Sequence, residues 1–333
     1  MSRLKVGLNG FGRIGRTFAR IALQRDLFDL VMINTRSSNS KVIADLLKND
    51  YVYGNFDKEL KVENNALSID DKEIRINNSD SPTNVPWQEV NTDIVIDATG
   101  VFLTSQELKN HLKGSVKKVI LTTVSKDEET AHLVLGVNDA DFDFKNSDII
   151  ANCSCTTNSV AVLYKVLQDT FGIKSSFFTT VHAYTQSQTS LEDLSKLKAI
   201  DLSIIPSTTG ASVGVVRTIP ELSGKIKGLS LRVPVPTVSF SDVTALLEKE
   251  TSVEEINNMF KEKAEGKMQK YLGYQDSPIN SSELIGSTYS CVFDSNYTEV
   301  IDGNYVKLTG WYDNEWGYSS RVADLVEKLS QYI

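Results

Sequence analysis

Histidine and cysteine are scarce in this chain, with three of each among 333 residues. The three cysteines, Cys153, Cys155 and Cys291, cannot form an even set of pairs, and two of them lie only two apart. That excludes a disulfide-stapled secreted scaffold and points to reduced thiols in a cytosolic protein. No charged-then-apolar leader opens the sequence, and no apolar run approaches the ~20 residues that cross a bilayer. The expected location is therefore the cytoplasm, with no membrane partner. Positive charge is also in deficit: 35 Lys and Arg against 43 Asp and Glu give a net charge of −8. Such a balance argues against nucleic acid or an anionic membrane surface as partner. It leaves room for a small, locally basic site that takes an anionic substrate. Repeats, low-complexity tracts and an evident flexible linker are missing as well. What remains is ordinary globular composition, 41% hydrophobic and 23% charged, at a length that favours ~2 domains over one core.

In the first half, apolar runs alternate with helical patterns. Residues 4–9 read as a buried strand, followed by Gly10, Gly12 and Gly15, then by helical spacing at Phe18, Ile21, Ala22 and Leu23. Further strand-like runs lie at 30–34, 94–98, 118–122, 133–137 and 148–151, with a helix-like segment over 107–112. This alternation predicts a doubly wound, mostly parallel α/β sheet. Beyond residue 155 the pattern changes. An amphipathic helix carries Val160, Leu163, Tyr164 and Leu167 on one face and closes near Gly172. Longer runs at 176–184, 227–232, 235–247, 287–293 and 304–312 predict a second, α+β domain with a largely antiparallel sheet. Ser252 and Glu255 form a capping box before Ile256, Met259 and Phe260, and a last helix is predicted over 319–331. The expected division is a dinucleotide-binding domain at 1–154, joined by the C-terminal helix 316–333, and a catalytic domain at 155–315.

Certain residues carry chemistry. Gly10-x-Gly12-x-x-Gly15 sits between a strand and a helix, where glycines allow a pyrophosphate to approach the helix N-terminus. A glycine-rich turn without a ligand is the alternative. The tip of the second strand, Asn34-Thr35-Arg36-Ser37-Ser38, has no carboxylate to repel a 2′-phosphate, and its guanidinium and hydroxyls suit one. The other reading is a solvated loop, with the adenosine held elsewhere. Cys155 stands where a strand-like run meets a helix, and a helix N-terminus favours thiolate over thiol. Among the histidines, His111 falls in a helix-like surface segment and His132 begins a strand; both read as structural. His182, at a strand end, is the candidate base for the thiol, against the alternative of a satisfied core histidine. The turn Ser207-Thr208-Thr209-Gly210 and Arg232 suit phosphate oxygens, or are a polar turn and a surface arginine. A dinucleotide site together with an activated cysteine suggests aldehyde oxidation through a covalent thioester. No metal site is indicated.

Seven segments then fall in one order: 9–16 (NGFGRIGR), 98–102 (ATGVF), 154–158 (SCTTN), 180–185 (TVHAYT), 207–211 (STTGA), 231–234 (LRVP) and 311–319 (WYDNEWGYS). In this order they resemble the glyceraldehyde-3-phosphate dehydrogenase family over essentially the whole chain. The resemblance implies Cys155 as nucleophile and His182 as its base. It implies a cofactor site of Gly10, Gly12, Arg13, Ile14, Gly15, Thr35, Arg36, Ser37, Thr99, Gly100, Thr122 and Ser195. Asn314 would hold the nicotinamide carboxamide, with Tyr318 flanking the ring. Ser154, Thr156, Thr209 and Gly210 would bind inorganic phosphate, and Thr185 and Arg232 the substrate phosphate. It implies NADP and/or NAD as cofactor, a triose phosphate and inorganic phosphate as small-molecule partners, and a homotetramer. There are departures from the family pattern. Thr35 replaces the usual acid and Ser195 a usual proline, both features of NADP-accepting branches. The loop 186–200 is shorter than usual, with Lys196 or Lys198 where a phosphate-binding arginine is common, and Ser187 replaces an aspartate. Ser79 stands for an arginine near the adenine, Ser159 for a second cysteine, and Cys153 is unusual. The expected activity is phosphorylating oxidation of glyceraldehyde 3-phosphate in glycolysis or gluconeogenesis. The alternatives are erythrose-4-phosphate oxidation, which the 207–210 turn argues against, and a binding or adhesion role.

Overall fold

The structure is a computed structural model that describes residues 3–36, 39–63, 65–70, 72–185 and 203–333. Ser37, Ser187, Ser195, Lys196 and Lys198 lie outside the described residues. Two compact units are present: Met1–Leu133 with Asp141–Cys153 and Ser319–Ile333, and Val134–Ala140 with Ser154–Tyr318. Among the described residues, no helix is long and apolar enough to cross a membrane.

The first unit is built on β1 (Lys5–Asn9), α1 (Arg13–Arg25), β2 (Asp29–Asn34), α2 (Ser40–Lys48) and a short ribbon, β3 (Asn49–Asp50) with β4 (Gly54–Asn55). It continues with β5 (Lys61–Glu63), β6 (Ala66–Ile69), β7 (Lys72–Asn77), β8 (Ile94–Asp97), α3 (Ser105–Leu108), β9 (Lys118–Leu121), β10 (Ala131–His132) and β11 (Ile149–Ala151). The sheet runs β10-β11-β9-β8-β1-β2-β7-β6-β5, parallel except for the β5–β6–β7 meander. From β1 the chain winds outward through β2 and β7, then returns to β8 on the other side of β1. The strand order therefore reverses between β1 and β8, and ligands bind at the carboxyl ends of strands at such a point. The central strands are buried along nearly their whole length, with apolar middles and polar residues at their ends, because helices or loops cover them on both faces. On one face Met32, Trp87, Val95, Val119 and Leu121 form a buried cluster. On α1 the spacing read from sequence holds, since Phe18, Ile21, Ala22 and Leu23 are all buried. Truncating Phe18 to Ala would cost roughly 3–5 kcal/mol through the cavity left behind.

Two expectations are corrected in this unit. Residues 133–137 are not a strand. Pairing with β11 stops at His132, after which Val137 N–H bonds back to the Val134 carbonyl and Gly136 takes φ +83°. Val134 and Leu135 are apolar because they are buried, not because they pair; Leu133, also buried, donates the last bond of the ladder, to the Ala151 carbonyl at 2.9 Å. Nor is 107–112 a surface helix: it is the end of α3 followed by a 3-10 turn, Lys109–His111, and His111 is wholly buried.

The second unit contains α4 (Cys155–Phe171), β12 (Ile173–Ala183), β13 (Ile205–Ser207), α5 (Ala211–Thr218), β14 (Ile226–Val233), β15 (Ser239–Leu247) and α6 (Val253–Glu265). It ends with β16 (Leu272–Gln275), β17 (Cys291–Ile301), β18 (Tyr305–Tyr312) and the start of α7 (Trp316–Leu329). The sheet order is β13-β14-β12-β15-β18-β17-β16. Most pairs are antiparallel, but β12 lies parallel to β14, and β16 to β17. The parallel register sets His182 beside Arg232. β15 starts later than the sequence suggests, at Ser239, because Pro234 and Pro236 cannot donate to a ladder and Val238 adopts φ +64°. β17 likewise starts at Cys291 rather than 287. α4 is buried on nearly every side rather than along one stripe. Ser154 begins it, its Oγ accepting the Thr157 N–H at 3.1 Å, and Gly172 ends it at φ +71°.

Candidate active site

Cys155 is the first residue of α4 and keeps partial exposure. Its Sγ lies 3.4 Å from His182 Nε2, near the end of β12. The other ring nitrogen, His182 Nδ1, is 2.6 Å from the Ala183 carbonyl and 2.5 Å from Arg232 Nη1. A carbonyl only accepts and a guanidinium only donates, so the two contacts ask for opposite tautomers. With Nδ1–H on the carbonyl, the Nε2 lone pair faces sulfur and can take its proton. With Arg232 donating to Nδ1, Nε2 carries the proton and donates to sulfur instead. Arg232 also donates to the Ala183 carbonyl at 3.2 Å, while its buried Nε finds no acceptor among the described residues.

Ionised singly, each member of the pair is penalised. Burial pushes the Cys155 thiol up, opposed by the Arg232 charge and the Thr156 N–H. Burial and then Arg232 push His182 down to about 3. Ionised together by one proton transfer, thiolate and imidazolium face each other at the 3.4 Å separation and attract. Beneath them Tyr312 turns its ring edge-on to His182, with centroids 6.0 Å apart. Its hydroxyl meets Thr156 Oγ1 at 2.9 Å and Thr180 Oγ1 at 2.7 Å. Burial raises the Tyr312 phenol well above its ordinary range, so it remains a neutral bridge. Tyr312 and Thr180 were not evident in the sequence, because hydroxyls inside a strand leave no periodic signal.

The remaining anion candidates are positioned as follows. Ser154 spends its hydroxyl on the α4 cap, and Thr156 spends its own on Tyr312, which leaves their backbone N–H groups to consider for a ligand. Thr209 Oγ1 accepts the Ala211 N–H, and Gly210 is the N-cap of α5, which packs on α4. Thr185 follows β12, two residues beyond Ala183. Asn314 is buried, with Oδ1 accepting from Ser239 Oγ at 3.0 Å, and Tyr318 is buried in the first turn of α7.

In the first unit the dinucleotide candidates gather at the reversal of strand order. Gly10 takes φ +97°, and a Cβ there would lie 2.8 Å from the Ala98 backbone. At Gly15 a Cβ would run into the Gly10 carbonyl, so the turn closes only with glycine at both positions. Gly12 caps α1 without any side-chain bond to the helix N–H groups, which suits an incoming pyrophosphate. Ile14 lies in that first turn. The Arg13 guanidinium bonds to Asp50 at 2.5 and 3.3 Å and lies 5.0 and 5.7 Å from the ring centroids of Tyr51 and Tyr53. Thr99 and Thr122 both fold onto Asp97 at the end of β8, Thr99 Oγ1 on its carboxylate at 2.6 Å and Thr122 Oγ1 on its carbonyl at 3.0 Å. Gly100 follows at φ +68°. Thr35 N–H bonds to the Asn77 carbonyl, and Arg36 is exposed. The sequence reading missed the polar ladder behind these tips. Trp87 Nε1–H donates to His111 Nδ1, which leaves His111 Nε2–H for Asp97. Asn9 donates to the same carboxylate oxygen, and Asn34 and Asn77 continue the chain.

A doubly wound dinucleotide unit and a thiol–imidazole pair in a second unit define the class, a dinucleotide-dependent oxidoreductase. Residues 4–105 match the model of the glyceraldehyde 3-phosphate dehydrogenase NAD binding domain, and 154–314 that of its C-terminal domain. Similar proteins include glyceraldehyde-3-phosphate dehydrogenase of Geobacillus stearothermophilus, 44% identical over 98% of both chains. Another is glyceraldehyde-3-phosphate dehydrogenase 2 of Streptomyces avermitilis, 42% identical over 97% of both. The chain belongs to the glyceraldehyde-3-phosphate dehydrogenase family. It is accordingly an oxidoreductase of glycolysis acting on glyceraldehyde 3-phosphate, with NAD or NADP as cofactor.

Proposed function

We propose that the protein oxidises glyceraldehyde 3-phosphate with inorganic phosphate to 1,3-bisphosphoglycerate, through a thioester on Cys155. The observation that carries this reading is the 3.4 Å approach of Cys155 Sγ to His182 Nε2 at the start of α4. Sγ adds to the aldehyde carbon, giving a hemithioacetal, while Nε2 holds the thiol proton and returns it to the oxygen. The bound nicotinamide supplies the hydride acceptor. His182 then takes the hydroxyl proton as the carbonyl of the thioester forms, and inorganic phosphate attacks that carbonyl to release the acyl phosphate and free Sγ. Arg232, with its unpartnered Nε, is suited to the substrate phosphate together with Thr185. The N–H groups of Thr156 and Gly210, with Ser154 and Thr209 beside them, suit the attacking phosphate.

For the cofactor, the uncapped start of α1 fits the pyrophosphate, and Asn314 fits the carboxamide. Thr35 and the exposed Arg36, without a carboxylate between them, favour acceptance of NADP alongside NAD, with Ser37 and Ser195 as further contributors. The working assembly is a cytoplasmic homotetramer. Its dinucleotide-binding domain is 1–154 with helix 316–333, and its catalytic domain is 155–315. The reaction serves glycolysis or gluconeogenesis. The test is a first-turnover measurement without phosphate. One equivalent of reduced cofactor per chain should form, with an acyl group on Cys155 visible by mass spectrometry, and added phosphate should restore turnover. Continuous turnover without phosphate, or an unmodified Cys155, would rule out the thioester route.

A further inference from the structure

Ser239 is assigned no role by the mechanism, yet it touches both halves of it. It is 1% exposed at the start of β15. Its Oγ accepts the N–H of Ala183, the residue after His182, at 3.1 Å, and lies 3.0 Å from Asn314 Oδ1. A serine hydroxyl has one hydrogen. With the Ala183 N–H on one lone pair and the hydroxyl of Tyr312, a third hydrogen-bond partner, on the other, that hydrogen goes to Asn314. The asparagine amide, nearly symmetric in shape, is thereby oriented: its oxygen end faces Ser239 and its NH₂ end remains available.

The backbone on either side is held by other means. Asp313 Oδ1 accepts from Glu315 N–H, Trp316 N–H and Thr237 Oγ1, and its Oδ2 accepts from Gly286 N–H. The turn carrying Asn314 does not need Ser239 to exist. Before Ser239, Val238 takes φ +64°, a conformation that β-branched residues avoid, and this turn of the chain brings Ser239 to its partners. Backbone strain of this kind persists where the surrounding structure fixes it.

We infer that Ser239 is a positioning residue: its hydroxyl fixes which end of the Asn314 amide is offered to the carboxamide of the nicotinamide cofactor. The inference rests on the reading above that Asn314 addresses that carboxamide. With the NH₂ end outward, Asn314 donates to the carboxamide oxygen. Rotated by half a turn, it would set oxygen against oxygen. The same hydroxyl joins the end of β12 to Asn314, so ring orientation and the placement of His182 are fixed by one group.

The test compares Ser239→Ala and Ser239→Thr with the unmodified full-length enzyme. Binding is measured for the better cofactor, NAD or NADP, and for its nicotinamide-free counterpart, ADP-ribose or 2′-phospho-ADP-ribose, together with the rate of the first turnover. Loss of one neutral hydrogen bond predicts about two- to tenfold weaker cofactor binding in Ser239→Ala. The nicotinamide-free ligand should bind as before, the first turnover should slow, and Ser239→Thr, which keeps the hydroxyl, should recover both. Equal weakening of both ligands would mean general damage and overturn the inference; so would unchanged cofactor binding with an unchanged first turnover. If the Ala variant does not fold, Ser239→Cys, close in volume and a weak donor, is read on the same ratio of affinities. The thioester measurement on the unmodified enzyme tests the parent reading separately. Its failure would remove the thioester and leave the affinity ratio to decide the role of Ser239.

Discussion

Two cysteines two residues apart do different work, and the backbone says why. Cys153 is fully buried at φ +56°, a left-handed conformation that swings the chain from β11 toward Ser154 and α4. Cys155 opens the helix beside His182. Cys155→Ala should abolish oxidation, whereas Cys153→Ser should leave most activity and Cys153→Gly should also be tolerated, since glycine adopts positive φ without strain. A dead Cys153→Ser with an active Cys155→Ala, scored by steady-state rate, would reverse the assignment. His182→Asn should lower turnover by ~10²–10⁴-fold, the range for losing a general acid–base group. The sign of its pH effect follows from charge. Burial raises the Cys155 thiol, and the imidazolium that forms with its thiolate by proton transfer at 3.4 Å is gone in the variant. Alkylation of Cys155 should therefore slow at neutral pH and recover only at more alkaline pH. An alkylation profile identical to that of the unmodified enzyme would show that His182 does not hold the thiolate.

Between elements, ion pairs and registers decide the geometry. Asp50, the last residue of β3, accepts from Arg13 of α1 and from the N–H groups of Val52 and Tyr53. Burial opposes its charge, but these bonds outweigh burial and hold its carboxyl below the usual range. A depressed folded-state value means that the stabilisation is full above the unfolded value of ~3.9 and is lost as pH falls through the folded one. Asp50→Asn should thus cost ~1.5–3 kcal/mol at pH 7. Its thermal midpoint should converge on that of the unmodified protein in acid, and a gap unchanged at low pH would refute the assignment. At the tip of β2, Thr35→Asp with Arg36→Leu should restore strong NAD preference in steady-state assays. If the unmodified enzyme already rejects NADP, Arg36 does not reach the 2′-phosphate. These elements also mark how far sequence reasoning reaches. The strand–turn–helix from β1 to α1 and the thiol at the head of α4 were legible because their signals are local. The parallel pairing that sets His182 beside Arg232 was not, since register between β12 and β14 is decided by residues fifty apart in the chain. Burial of His111 depends on Trp87, Asp97 and Asn9, which meet only in the folded sheet. Ser239 and Tyr312 act through single hydroxyls, which no pattern announces.

At the scale of the molecule, the second unit leaves part of one sheet face open. Phe178, Thr180 and His182 of β12 point inward and are buried, whereas Phe177 is 71% exposed and Leu229 of β14 is 44% exposed. Register places Leu229 opposite Thr179, so Phe177 and Leu229 are diagonal neighbours on the outward face. Exposed apolar side chains grouped on a sheet face mark an interaction surface, and the homotetramer proposed above supplies an occupant in a second copy of the chain. Burying one phenylalanine contributes ~1.5–3 kcal/mol. A two-fold interface repeats each contact, so the loss on substitution counts twice, ~3–6 kcal/mol. That converts to a subunit dissociation constant raised by ~10²–10⁴-fold. Phe177→Asp should therefore shift the light-scattering mass at micromolar protein from four chains toward smaller species, while a far-ultraviolet spectrum like that of the unmodified protein shows each chain still folded. A mass of four chains that persists on dilution would place Phe177 outside the interface, and an unmodified protein of one chain would remove the homotetramer itself.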